Sequence, residues 1–113
     1  MHEYAIVQAL LAQVEQEARA RNALAVRRLA VRIGELSGVE PELFASAWEV
    51  CRDRSVCDGA ELVVERVPAQ WVCPVCATSI ARGAVLSCPA CGASARLAHG
   101  DELVLERIEL EVP

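Results

Sequence analysis

At 113 residues the chain has room for one compact domain, or one domain with a small appendage. It is 54% hydrophobic and 24% charged, as folded globular chains are, and no apolar run approaches the ~20 residues that a membrane span needs. The formal net charge is −5, and all eleven basic residues are arginine. That balance argues against nucleic acid as a main partner, because phosphate neutralisation dominates such binding. No basic stretch followed by an apolar one opens the chain, so no secretory signal is read and a cytoplasmic protein is expected.

The spacing of apolar residues predicts a first helix over Glu3 to Arg21. Val7, Leu10, Leu11, Val14 and Ala18 recur at steps of three and four and make one stripe. Asn22 follows as a left-handed stop. In the run R-R-L-A-V-R-I, Leu29, Val31 and Ile33 alternate with Arg28, Ala30 and Arg32, the period of a strand with one polar face. Gly34 to Val39 reads as a loop. Pro41 suits the first turn of a second helix, in which Phe44, Ala47, Trp48 and Cys51 share a face. Asp58-Gly59 is a turn signal, and Leu62 to Val67 reads as a second strand stopped by Pro68.

Residues 69–99 differ in character: Arg82 and Arg96 are their only charged residues, and four of the six cysteines lie there. Leu103 to Val112 then resumes the strand pattern. Its apolar parity slips between Leu105 and Ile108, which predicts a bulge or bend. The order helix, strand, helix, strand, insert, strand predicts an α+β fold. A small mixed three-stranded sheet carries two helices, and a zinc-ribbon-like unit is inserted before the last strand.

The insert holds Cys73-Pro-Val-Cys76 and Cys88-Pro-Ala-Cys91. A cytosolic chain this short has little use for a disulfide framework, whereas paired cysteines hold metal. Zinc takes a closed tetrahedron of thiolates, and two short turns each supply two sulfurs. With all four positions cysteine, no site stays open for water, so the expected zinc is structural and not hydrolytic. Gly92 suits the left-handed position after the second pair; Ala77 stands there after the first. The rival reading is a redox dithiol, which usually opens a helix in a thioredoxin-like unit. Doubled, proline-bearing pairs do not fit that. Cys51 reads as a small core residue on the Phe44–Trp48 face, with a ligand role as the alternative, and Cys57 as a residue near the surface.

The chain opens Met1-His2-Glu3. Terminal amine, imidazole and the amide nitrogens of His2 and Glu3 form fused chelate rings, and four nitrogens in a plane suit Ni(II) or Cu(II). Taken alone, a histidine at position two is more often a solvated terminus. Glu3 either orients such a site or simply favours the positive start of the helix. Glu40 either faces a partner or caps the second helix, and His99 reads as a solvated loop residue, with a transient fifth ligand as the alternative.

M-H-E-Y at the start, I-G-E-L-S-G-V-E-P-E at 33–42 and the doubled C-P-x-C insert together resemble the HypA/HybF family, the nickel-insertion proteins of NiFe-hydrogenase maturation. The resemblance runs to the I-E-L-E ending. It implies a nickel metallochaperone with nickel held at Met1, His2 and Glu3 and zinc at Cys73, Cys76, Cys88 and Cys91. Residues 1–68 and 100–113 would form the nickel domain and 69–99 the zinc domain. It implies a GTPase partner and a hydrogenase large-subunit precursor as client, with urease a client in some organisms. The competing reading is a zinc-ribbon adaptor or nucleic-acid module. Residues 72–99 contain no Phe, Tyr or Trp on which a base could stack, and two arginines make no phosphate track. An enzyme is disfavoured: the sequence shows no nucleophile–base pair and no phosphate-cradling glycine loop. Monomer is the default state, although open strand edges leave room for a swapped dimer.

Overall fold

The computed structural model describes residues 3–81, 83 and 85–113. The expected metal ligands Met1 and His2 lie outside the described residues. Among these, the chain order is α1 (Glu3–Ala20), β1 (Ala25–Gly34), α2 (Pro41–Cys51), β2 (Glu61–Val67), β3 (Gln70–Val72), β4 (Ser79–Ile80), β5 (Arg96–His99) and β6 (Leu103–Glu111).

Helix α1 buries Val7, Leu10, Leu11, Val14 and Ala18, the whole apolar stripe. It stops at Asn22, whose φ of 54° places it in the left-handed region, while the Ala23 N–H reaches back to the Ala18 carbonyl at 2.9 Å. Helix α2 begins at Pro41, whose missing N–H is one the first turn does not use. Glu40 is its N-cap, and its side chain accepts the Glu42 N–H at 2.8 Å. A carboxylate here satisfies an orphan donor and also faces the positive helix end.

The larger sheet has strand order β2-β1-β6. Strand β1 pairs with β2 in parallel and with β6 antiparallel, the mixed arrangement that a helical crossover and a returning last strand require. The parity slip in β6 is a real bulge. Arg107 pairs with Ala30 and Leu105 with Val31, so Glu106 is the extra residue. Leu29, Val31 and Ile33 point into a core built with Phe44 and Trp48, all essentially inaccessible to solvent. Burying side chains this large stabilises the fold by roughly 1.5–3 kcal/mol each. Arg28 and Arg32 face the other way. Arg28 meets Glu61 at 3.0 Å and Glu109 at 3.4 Å, while Arg32 meets Glu65 at 3.3 Å and Glu106 at 2.8 Å.

Between β2 and β6 lies a second sheet, β4-β3-β5, entirely antiparallel. Its cluster is separate from the first and contains Cys73, Ile80 and Cys88, with Trp71, Ala93 and Ala95 against it. The radius of gyration is 17.9 Å and the longest extent 56 Å. A compact chain of this length would have a radius near about 13 Å, so the second sheet projects away from the first.

One expectation is overturned here. Cys57 is not near the surface but fully buried within the main core. The reason lies in the loop after α2. The Val26 N–H donates to the Val56 carbonyl at 3.0 Å, and Arg52 Nη1 donates to the Ala60 carbonyl at 2.9 Å. Those bonds fold the loop back along the sheet and carry Cys57 inward.

Candidate metal centres

The two cysteine pairs are built alike. In the first, the Cys73 N–H donates to the Thr78 carbonyl at 2.9 Å and the Ala77 N–H returns to the Cys73 carbonyl at 2.9 Å. In the second, Cys88 and Ala93 make the first of these bonds at 2.8 Å, and Gly92 and Cys88 the other at 2.8 Å. Each turn closes on a residue of positive φ, 61° at Ala77 and 77° at Gly92. Glycine takes that conformation freely; alanine takes it at the expense of about 1–2 kcal/mol.

These turns bring Cys73, Cys76, Cys88 and Cys91 together, with one sulfur of each within 4.8 Å of the others. The Cys73 and Cys91 sulfurs are 3.5 Å apart. Four thiolates around zinc at ~2.3 Å stand about 3.8 Å from one another, so the quartet fits a tetrahedral ion. Cys73 and Cys88 are buried, while Cys76 and Cys91 are exposed. Backbone amides prepare the first sulfur of each pair for charge. The Val75 and Cys76 N–H groups donate to Cys73 Sγ at 3.4 and 3.2 Å. The Cys76 amide is the largest influence lowering the Cys73 pKa, and the Cys91 and Ala90 amides take Cys88 down to about 6. Crowding by the Cys91, Cys73 and Cys88 sulfurs pushes Cys76 up to about 12. Four sulfurs this close cannot all ionise without a cation among them.

At the other end of the molecule, Glu3 starts α1 and is buried, 6% exposed. Its Oε2 accepts the Glu40 N–H at 3.1 Å. The positive amino terminus, then the Glu40 and Glu3 amides, hold its carboxyl down to about 2. The loop that ends at Glu40 begins as a clasp on both connections to the second sheet. The Glu35 N–H donates to the Val67 carbonyl at 2.8 Å, and Glu35 Oε1 accepts the Ala69 N–H at 2.8 Å. On the returning strand, Gly34 donates to Glu102 at 2.8 Å and Leu36 to Gly100 at 2.6 Å. A Cβ on Gly34 would lie 2.4 Å from Gly100 backbone atoms, so only glycine fits this crossing. The conspicuous G-E-L of the sequence is therefore a joint between the two sheets.

Over residues 1–110 the chain matches the family described as "Hydrogenase/urease nickel incorporation, metallochaperone, hypA". The chain belongs to the HypA family. The hydrogenase maturation factor HypA of Wolinella succinogenes is 42% identical over 114 residues, covering 98% of this chain and 96% of the relative. That of Shewanella baltica strain OS195 is 35% identical over 113 residues, covering 98% and 97%. The solution structure of the Ni metallochaperone HypA from Helicobacter pylori is 31% identical, covers all of both chains and superposes with a TM-score of 0.72.

The remaining candidates fall outside the cysteine quartet. Cys51 is partly buried against the main core, as a small core residue would be. Its thiol, beside the Tyr4 phenol, raises that group's pKa. Burial pushes the Cys57 thiol up to about 11, the signature of an inert core cysteine. His99 is exposed at the end of β5 and pairs with Gln70. Glu40 is a helix cap. The inward Glu3–Glu40 bond was beyond sequence reasoning, because nothing local links residues 37 apart. No helix among the described residues is long and apolar enough to cross a membrane.

Proposed function

We propose that this chain is a cytoplasmic nickel carrier for NiFe-hydrogenase maturation, with urease as a further client, and that it has no catalytic activity of its own. Ni(II) is the cargo. The Met1 amine, the His2 imidazole and the backbone nitrogens of His2 and Glu3 hold it, in the planar geometry that four nitrogens favour. Zinc is the resident metal, held by Cys73, Cys76, Cys88 and Cys91, and it supplies folding energy to residues 69–99. The remainder, residues 1–68 and 100–113, forms the nickel-carrying domain. The observation that carries this reading is the match to the nickel-incorporation family from residue 1 to residue 110.

The chemistry suits a carrier. A site at the end of a chain is reachable from outside, so a GTPase partner or a hydrogenase large-subunit precursor takes the metal by ligand exchange. Loading displaces protons from the amine, the imidazole and the amides, so affinity falls as pH falls. Copper binds at least as tightly by intrinsic preference, and nickel selectivity in the cell therefore rests on availability and partners.

The test is a nickel titration of untagged, zinc-replete protein beside His2→Ala and a variant with one extra N-terminal residue. Calorimetry and the visible band of planar Ni(II) report binding. Stoichiometric binding lost in both variants, with zinc content unchanged, is the expected result. Binding that persists in both would move nickel elsewhere. No binding at all would leave a zinc-stabilised adaptor.

A further inference from the structure

Among the described residues, β6 is an end strand of the larger sheet, and one of its edges faces no other strand. Such an edge offers a row of unpaired N–H and C=O groups. Beside it, Leu105, Ile108 and Leu110 line an open groove whose far wall is Gln13, Glu17 and Arg21 of α1. These apolar side chains, and Leu103 with them, pack against the core yet stay only half-buried. A bulge normally turns other strands away from an edge, and β6 has one at Glu106.

Here the bulge has a second effect. Before it, Leu103 and Leu105 stand opposite Ile33 and Val31; after it, Ile108 and Leu110 stand opposite Leu29 and Val26. All four therefore lie on the core face. Val104, Glu106, Arg107 and Glu109 are left for the outer face, with Arg28 and Arg32. This pattern reads the same in both directions from the point between Glu106 and Arg107. Laid antiparallel on a second copy about that point, β6 sets Leu105 opposite the partner's Ile108 and Leu103 opposite the partner's Leu110. On the outer face it sets Glu106 opposite the partner's Arg107. Each pair occurs twice by symmetry. At the bulge two residues then face two, so the irregularity toward β1 disappears toward the copy. Beyond Leu103, Glu102 would meet Glu111, but Glu102 lies outside the strand and Glu111 is held by Arg27 at 3.3 Å. The other free edge, β2, has no such register. Centring it on Val63 sets Glu61 against Glu65, and centring it on Val64 sets Leu62 against Arg66.

We propose that two copies of this chain associate through β6, antiparallel about a two-fold axis between Glu106 and Arg107. Two three-stranded sheets then join into one continuous sheet of six strands. The two grooves meet at the seam, where the half-buried leucines cover one another. A reversible dimer replaces the monomer that the sequence suggests by default. This association is independent of where nickel binds.

The test is sedimentation velocity on the full-length, zinc-loaded chain over a dilution series. Wild type should dimerise reversibly. Glu106→Arg sets arginine against arginine across the axis, and Arg107→Glu sets glutamate against glutamate. Each alone should weaken self-association roughly tenfold or more, because two attractive cross-strand pairs become repulsive. An equimolar mixture of the two variants restores opposite charges at both positions and should dimerise as wild type does. Glu106→Arg gives up the contact with Arg32, but Arg32 keeps Glu65, and exposed pairs add little to stability. Far-UV dichroism and zinc content verify each fold, and recovery on mixing excludes misfolding as the cause of the loss. A wild type that stays monomeric throughout the series would overturn the proposal. So would single variants that dimerise as wild type does, since the contact would then lie elsewhere. Two folded variants that remain monomeric when mixed would overturn it as well, by refuting the register.

Discussion

The two sheets of this molecule are held together by different physics. The larger one closes over a core of twelve buried residues, among them Trp48, Phe44, Leu29 and Ile33. The smaller has three buried residues in its cluster, and two of them, Cys73 and Cys88, are metal-ligand candidates. Its strands are two to four residues long. Strands this short, over so small an apolar cluster, cannot offset an ordering cost of roughly 1–2 kcal/mol per residue. The difference teaches where each part gets its stability: one from buried area and the other, on the function proposed above, from an ion held by its four cysteines.

The sharpest way to break that contrast is to take the metal away. Chelation, or Cys73→Ser, should collapse the amide dispersion of residues 70–99, since structural zinc supplies on the order of 10 kcal/mol to such units. The signals of β1, β2 and β6 should stay dispersed, because lengthening a closed loop weakens a fold only logarithmically. Loss of both sets together would show one cooperative unit. The converse experiment is Trp48→Ala, which opens a cavity in the main core. It should lower stability by about 3–5 kcal/mol in denaturant unfolding while zinc content per folded chain is unchanged.

Gly34→Ala probes the joint. Its Cβ would have to displace the Gly100 backbone. Overpacking of this kind costs about 1–3 kcal/mol, and chemical-shift changes should concentrate at residues 67–69 and 99–102. A variant that melts like wild type would mean that the crossing relaxes freely. The smallest effect is expected inside the second sheet. Ala77→Gly relieves a left-handed alanine and should stabilise the zinc-bound unit by about 1 kcal/mol, seen as slower zinc transfer to a chelator. Gly92→Ala should speed that transfer by a similar energy.

Much of this was legible in the residues because the signals were local. The stripe from Val7 to Ala18, the left-handed stop at Asn22 and the proline that opens α2 all concern neighbours within a turn or two. The parity slip before Ile108 marked the Glu106 bulge for the same reason. The cysteine pairs announced their turns through spacing alone. The second sheet was not legible strand by strand: β3, β4 and β5 are too short for a period to show, and only Trp71, Ile80 and Leu97 mark their apolar positions. Cys57 was misplaced because its burial depends on a loop bond to Val26, thirty positions away in the chain. The bond between Glu3 and the Glu40 amide is long-range in the same manner. At the candidate site, residue types point to candidate ligands through local spacing, while the bonds that tie the loops together are long-range and belong to the fold.

The position of β6 has a consequence for synthesis. It leaves the ribosome after β1 and β2, yet it pairs with the central strand, and everything between β2 and β6 is the cysteine-bearing segment. Until that segment is made, the sheet of the carrier has only β1 and β2. Once it folds around its ion, its own β3–β5 pairing brings the two connecting strands side by side and delivers β6 to its place beside β1. The seam between β1 and β6 is therefore the one contact of the larger sheet that spans the whole cysteine-bearing segment.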